Sequence, residues 1–389
     1  MSPGVVIAGG GLAGQRCAET LRRSGYEGRV RMICAEPHRP YDRPALSKEA
    51  ISGGETGASL SFRPQEWYER QAVELTLGTR ARTLDPCARL LRLSDGEQVR
   101  YEHLLIATGS AARTLPMLNR YSNVSALRTL EDALQLDDVL RRGGSIAIIG
   151  AGFIGGEVAV AARKAGVRAT IIETEAAPLA RVLGRDLGNW FAGVHRLEGV
   201  DVRVGTHARA AAGADRIRSL LLSDGTSLDC DHVLVGVGVR PALDWLEGSG
   251  LEVNGVRTDV DGRASAPGVF AAGDAAATWD PLLARHVVGN HWEAAARQGA
   301  RAAKSMLGLD PGAPAPTSFW TDLYGTRVQY IGHAAIADET RLDGDPSARD
   351  FTATFLRRGA PVGGLLVGRP QQLPALRALL TNTSERMAA

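Results

Sequence analysis

Apolar residues run unbroken at 5–8, take up helical spacing after residue 11, and return in a second, mainly apolar strand at 30–34. Short apolar runs without polar alternation are strands buried on both faces, and a helical stretch between two of them predicts a parallel β–α–β unit. The same pattern returns at 145–149, 158–165 and 169–172. Each unit is followed by shorter strands with tight turns. The first set lies at 73–77, 89–93 and 103–107, with Asp95-Gly96 as a turn; the second lies at 201–204 and 220–222, with Asp224-Gly225, before the run at 233–238. A whole domain is therefore repeated. The apolar strand at 267–272 resumes the first copy, so the second is predicted to be inserted into it. Helices are expected at 130–140 and 292–307, and Pro311 to Pro316 reads as a linker. About 70 residues follow it, with strands expected at 328–331 and 351–356 and a terminal helix at 374–380.

Glycines at the strand-to-helix junctions say what the repeat is for. Gly9, Gly11 and Gly14, with Leu12 and Ala13 between them, form GxGxxG after a strand and before a helix. The first glycine permits the tight turn, the second lets the backbone approach a pyrophosphate, and the third lets helix and strand pack closely. Glu36 ends the next strand 25 residues after Gly11, where a carboxylate accepts ribose hydroxyls. Gly150, Gly152 and Gly155, with Phe153 and Ile154, repeat the motif 141 residues later, and Glu173 takes the acidic position. With Glu175 nearby, Glu173 favours NAD over a 2′-phosphate. The fold class is α/β: two Rossmann-like dinucleotide-binding domains and a small C-terminal α+β domain. The expected boundaries are 1–112 with 239–312 for the first, 113–238 for the second and 313–389 for the third.

Charge and composition narrow the chemistry. The 389 residues carry 45 basic and 43 acidic side chains, a net +2, so no global field draws the chain to nucleic acid or membrane. Cys17, Cys34, Cys87 and Cys230 are scattered without metal-site or disulfide spacing. No run approaches 18 apolar residues and no signal-like segment opens the chain, which predicts a soluble cytoplasmic protein without membrane contact. Lysine occurs only at 48, 164 and 304 in an arginine-rich chain. That makes Lys48, in the proline-stiffened loop 39–48, a candidate for chemistry needing a compact ammonium. Thr108-Gly109 and Gly273-Asp274 end apolar strands where a long cofactor would pass. Arg297, Arg301 and Lys304 form a stripe on one face of the expected helix.

The segments GGGLAG, YDRPALSK, ATG, LRT, GAGFIGGE, GVGVRP, VFAAGDA, FWTDLYG and VGRPQQL span essentially the whole chain. Together they resemble the FAD-dependent, NADH-linked ferredoxin reductases that serve oxygenases and cytochromes P450, whose fold is glutathione-reductase-like. The resemblance implies FAD in the first site, held by Ala13, Glu36, Arg43, Lys48, Ala81, Arg128, Asp274 and Trp292, and NADH in the second, with Arg181 and Gly238 beside its glycines. It implies that Lys48 pairs with Glu157, the acid of GGE, where nicotinamide meets flavin, and that Trp320 lies close to the flavin ring. The chain departs from the family pattern in three places. Ala177 stands where an arginine usually follows the ribose-binding glutamate, Ala242 follows Pro241 in place of asparagine, and the loop reads RPALSK.

The implied activity passes a hydride from NADH to FAD and then single electrons to a small iron–sulfur protein. Disulfide reductases of this architecture place CxxxxC after the first site; here residues 41–48 hold no thiol, so electrons leave from the flavin directly. Ferredoxins are typically acidic, which makes the stripe at Arg297, Arg301 and Lys304 a candidate docking patch. An NADH oxidase or quinone-type reductase would use the same two sites, as would an NADH-sensing flavoprotein.

Overall fold

The computed structural model describes residues 3–51, 59–289 and 291–388. Two five-stranded parallel sheets dominate it. The first runs Val269–Ala271, His103–Ile106, Val5–Ala8, Val30–Ile33, Val73–Thr76. The second runs Asp201–Val204, Arg168–Glu173, Ser145–Ile149, His232–Val235, Val124–Ser125. Val5–Ala8, Val30–Ile33 and His232–Val235 are buried at every residue, which explains why they are apolar except at Arg31 and His232. Beside each parallel sheet sits a three-stranded antiparallel one, Ala81–Asp85 with Leu90–Leu93 and Gln98–Arg100, and Ala208–Ala212 with Ser219–Leu222 and Ser227–Asp229.

The chain passes between the two units on a narrow ribbon. Ser110–Ala112 on the way out pairs antiparallel with Val239–Pro241 on the way back. The helix Leu130–Arg142 begins at a capping box, in which Thr129 and Asp132 satisfy each other's backbone N–H groups. Helix Trp292–Met306 lies against helix Leu12–Arg23, and contact is so close that a Cβ at Gly299 would fall 2.1 Å from the carbonyl oxygen of Ala13.

The last segment is a five-stranded antiparallel sheet in the order Ser318–Leu323, Thr326–Gly332, Ala360–Val367, Asp350–Arg357, Glu339–Asp345, with helix Leu373–Ala388 against it. Two of these strands carry no readable pattern in the sequence. Glu339–Asp345 is exposed at every position and so has no buried face to mark it. Ala360–Val367 contains Gly363 and Gly364, which look like a turn; a Cβ at Gly364 would fall 2.6 Å from the Leu376 side chain, so this glycine makes room for the helix. The first two strands are joined by Tyr324-Gly325, both at positive φ (49° and 84°), as a two-residue hairpin turn requires. Tyrosine is unusual there. Its hydroxyl shares a 2.8 Å hydrogen bond with Nδ1 of His195, which docks the hairpin on helix Arg185–Leu197. Burial lowers the His195 pKa to about 4, so the ring stays neutral.

Glu293, in the first turn of its helix, ties the C-terminal sheet to the first unit. It accepts bonds from Arg297 at 2.6 Å, from the Ser318 hydroxyl at 2.6 Å and backbone N–H at 2.7 Å, and from both terminal nitrogens of Arg377. Burial opposes its ionisation, but Arg377, Ser318 and Arg297 outweigh that and hold the carboxyl at about 2. A depressed carboxyl contributes stability above its unfolded pKa and loses it as pH falls through the folded value. Replacing Glu293 with glutamine is expected to cost on the order of 1 kcal/mol at pH 7 after allowance for solvent screening. Urea midpoints of the two proteins should converge between the ordinary carboxylate range and about pH 2. A gap that is independent of pH would show that the charge is not what matters.

Candidate functional site

The two glycine turns are built alike. In the first, a Cβ at Gly9 would lie 2.0 Å from the Ala107 carbonyl oxygen, and one at Gly14 would lie 2.2 Å from the Gly9 oxygen. In the second, Gly150 faces the Gly236 oxygen at 2.4 Å and Gly155 the Gly150 oxygen at 2.2 Å. Gly9 and Gly150 also adopt φ of 129° and 106°, where side chains strain the backbone. The middle glycines differ. A Cβ at Gly11 or Gly152 would meet no protein atom within 4 Å. The fold therefore requires the outer glycines, while the middle ones guard open space. Both helices start there without a side-chain cap and without an acid in the first turn, leaving N–H groups for an anion. The residues present fit a bound dinucleotide.

A cavity of about 410 Å³ runs from the first turn. Gly9, Gly11, Leu12 and Ala13 form one wall, with Glu36 and Ala81 beyond them. The Glu36 carboxylate is already engaged, accepting from the Tyr41 hydroxyl and from Arg43 Nη2, each at 2.5 Å. Arg43 also donates to the Arg128 carbonyl at 2.6 Å. Arg128 in turn pairs with Asp274 at 3.0 Å, and Ser110 donates to the same Asp274 oxygen at 2.6 Å. Thr108 and Gly109 line this wall, the Thr108 hydroxyl donating to the Ala242 carbonyl at 2.9 Å. Gly273 joins it with its N–H held by Gln298 Oε1 at 2.8 Å. Trp245, also on the wall, has a buried Nε1 without an acceptor among the described residues.

At the other end the cavity takes in Phe153, Ile154 and Glu157 from the second unit, and Trp320 from the C-terminal sheet. Lys48 Nζ lies 3.4 Å from Glu157 Oε1. Glu157 is 8% exposed and accepts from the Thr321 hydroxyl at 2.8 Å and from the Ser47 hydroxyl. Burial raises its pKa, against the pull of Lys48 and of these hydroxyl donors. Trp292 donates through Nε1 to Asp42 at 2.6 Å and meets Trp320 edge to face, centroids 5.5 Å apart. Burial raises the Asp42 pKa as well, and the Trp292 bond opposes it. Phe319 stacks on His291 and meets Phe153 edge to face, each at 4.5 Å, so the end of the cavity has an aromatic wall.

Several expected residues lie elsewhere. Glu173 stands by the second turn, holding the Ala151 and Glu175 N–H groups at 2.8 and 2.9 Å. Gly238 begins the return ribbon at φ 93°. Arg181 is 84% exposed and pairs with Glu175 through Nε at 2.8 Å. The Arg297, Arg301 and Lys304 stripe is not the open basic face expected. Arg297 pairs with Glu293 and Arg301 with Asp261, both at 2.6 Å, and Lys304 reaches the Asp310 carbonyl at 3.4 Å. These side chains brace the helix within the fold. Sequence reasoning missed Ser47, Thr321 and Asp322 as partners of the Lys48 and Glu157 pair. Ser47 and Thr321 reach Glu157 from 110 and 164 positions away and Asp322 reaches Lys48 from 274 positions away, and no local pattern marks them.

Residues 3–299 match the family model described as pyridine nucleotide-disulphide oxidoreductase, and residues 318–389 match the one described as reductase C-terminal. The chain is 35% identical over 378 residues to the anthranilate 1,2-dioxygenase system ferredoxin–NAD(+) reductase component of Burkholderia cepacia, covering 96% of this chain and 93% of that protein. It is 31% identical to putidaredoxin reductase of Pseudomonas putida, covering 97% and 92%. Among solved structures, the covalent putidaredoxin reductase–putidaredoxin complex superposes with a TM-score of 0.95 at 30% identity, covering 100% of this chain and 96% of that one.

The two open glycines give a paired test. Since a Cβ at Gly11 would meet no protein atom within 4 Å, Gly11→Val is expected to fold normally yet lose FAD on gel filtration, with retention at least about tenfold weaker. Gly152→Val should stay yellow and instead raise KM for NADH. Equal effects of both variants on flavin content would contradict the division of the two sites.

Proposed function

This chain belongs to the pyridine nucleotide-disulphide oxidoreductase family, and from that premise we propose that it is an FAD-dependent NADH:ferredoxin reductase supplying an oxygenase or cytochrome P450. The observation that carries the reading is one cavity that runs from the first glycine turn to Phe153, Ile154 and Glu157 on the helix that follows the second, where Lys48 and Trp320 also lie and, among the described residues, no cysteine pair. The Burkholderia cepacia relative is named a ferredoxin–NAD(+) reductase component, and one neighbour was solved as a covalent complex of putidaredoxin reductase with putidaredoxin.

FAD held in this site would supply the chemistry that links hydride transfer from NADH to one-electron transfer. The chain supplies position and charge. Residues 1–112 and 239–312 form the FAD domain in this reading, 113–238 the NADH domain, and 313–389 the domain that faces the partner. Gly11 and the helix start behind it take the pyrophosphate, Glu36 with Arg43 orients the adenosine ribose, and Asp274 with Arg128 fixes the middle of the cofactor. Gly152 and Glu173 hold NADH. Lys48 places a positive charge where reduction adds a negative one, and Glu157 fixes that ammonium and faces the nicotinamide. Trp292 and Trp320 exclude water from the ring end. No helix among the described residues is long and apolar enough to cross a membrane. We place the protein in the cytoplasm, a reading supported by its four unpaired cysteines.

NADH-driven reduction of cytochrome c by the purified protein should depend strongly on an added [2Fe–2S] ferredoxin. Rapid NADH consumption with oxygen or a quinone, indifferent to every ferredoxin, would point to an oxidase or small-acceptor reductase instead. Lys48→Met is expected to slow stopped-flow reduction of the flavin by NADH by about tenfold or more while FAD stays bound. Wild-type speed in that variant would remove Lys48 from the catalytic assignment.

A further inference from the structure

Asp322 follows Trp320 by two positions on the strand Ser318–Leu323, so both side chains leave the same face of the sheet. Its Oδ2 lies 3.6 Å from Lys48 Nζ, and its Oδ1 accepts from Arg327 Nε at 2.6 Å. Lys48 is 3.4 Å from Glu157 on its other side. Both lysine separations exceed the roughly 2.7–2.9 Å of a closed charge-assisted bond, so the ammonium is shared between two carboxylates. Lys48 Nζ and Arg327 Cζ lie 5.4 and 5.8 Å from the centroid of the Trp320 ring. One carboxylate thus holds both cations that contact this indole.

The consequence is electrostatic. Hydride transfer turns NADH into NAD⁺ and adds two electrons and one proton to the flavin, which leaves one more negative charge at the ring. A fixed carboxylate nearby opposes that gain, and a cation favours it. Asp322 does two things in the same direction: it draws the ammonium partly away from Glu157, and it sets its own negative charge 3.6 Å from the ammonium that lines this end of the cavity.

We propose that Asp322 is a positioning residue which keeps Lys48 shared between Glu157 and the Trp320 edge, and so lowers the reduction potential of the bound flavin. Resting on the flavoprotein reductase reading above, this makes the reduced enzyme a stronger donor to a low-potential acceptor at the expense of some driving force from NADH. Asp322 is 36% exposed, so its replacement leaves no buried charge unpaired in the core.

The test is a reductive titration of the holoprotein against a reference dye, which needs neither NADH nor a ferredoxin. Asp322→Asn should shift the equilibrium about tenfold toward reduced flavin, equal to about 30 mV for a two-electron couple. Asp322→Glu should return it to within about twofold of wild type, because the longer acid keeps the charge. In stopped flow, the asparagine variant should take electrons from NADH no more slowly than wild type and pass them to a [2Fe–2S] ferredoxin severalfold more slowly. An unchanged potential in Asp322→Asn, or failure of Asp322→Glu to restore it, would overturn the proposal even if ferredoxin turnover is confirmed. Absence of any ferredoxin turnover in wild type would instead overturn the reductase reading, and the dye titration would still report on Asp322.

Discussion

One buried carboxylate, Glu157, is the point on which the three parts of the chain converge. It belongs to the helix that starts at the second glycine turn, yet its hydrogen-bond partners come from outside that unit. Ser47 and Lys48 reach it from the first, and Thr321 reaches it from the C-terminal sheet. A carboxylate in such surroundings is costly unless every lone pair is answered. The fold answers them by bringing three segments to one place, and that place is the end of the cofactor cavity. What relieves the buried charge also assembles the site.

The C-terminal sheet is held where it can contribute by two further contacts. Glu293 binds it to the helix that crosses the first unit, through Ser318 and Arg377. Tyr324 binds it to the second unit through His195. Between these anchors lies the strand that carries Trp320, Thr321 and Asp322, so the hairpin is fixed at both ends and its middle faces the cavity. A tyrosine in a left-handed turn position is tolerated because its hydroxyl finds a buried partner. Local strain and interdomain contact are one arrangement.

The helix with the arginine stripe shows how a surface pattern in sequence can be spent inside a fold. Spacing put Arg297, Arg301 and Lys304 on one face, and that geometry is real. Their partners, Glu293, Asp261 and the Asp310 carbonyl, became visible only when the chain was folded. Periodicity describes a helix; it does not say what lies opposite. Arg181 likewise has a partner, Glu175, that its own position in the sequence does not announce.

The two dinucleotide units and their glycine turns are legible in the sequence alone. Those depend on local steric rules: a positive φ, a close backbone approach and a strand buried on both faces each leave a mark within a few residues. The sequence also marked Lys48, through the scarcity of lysine, and the absence of a thiol pair in the loop beside it. The strands Glu339–Asp345 and Ala360–Val367 left no such mark, one because it buries nothing and the other because its glycines serve a helix packed across it. Ser47, Thr321 and Asp322 surround the Lys48 and Glu157 pair only once the chain is folded. Those contacts join residues far apart in the chain, and a single charged side chain carries no local signal of the partner that folding will bring to it.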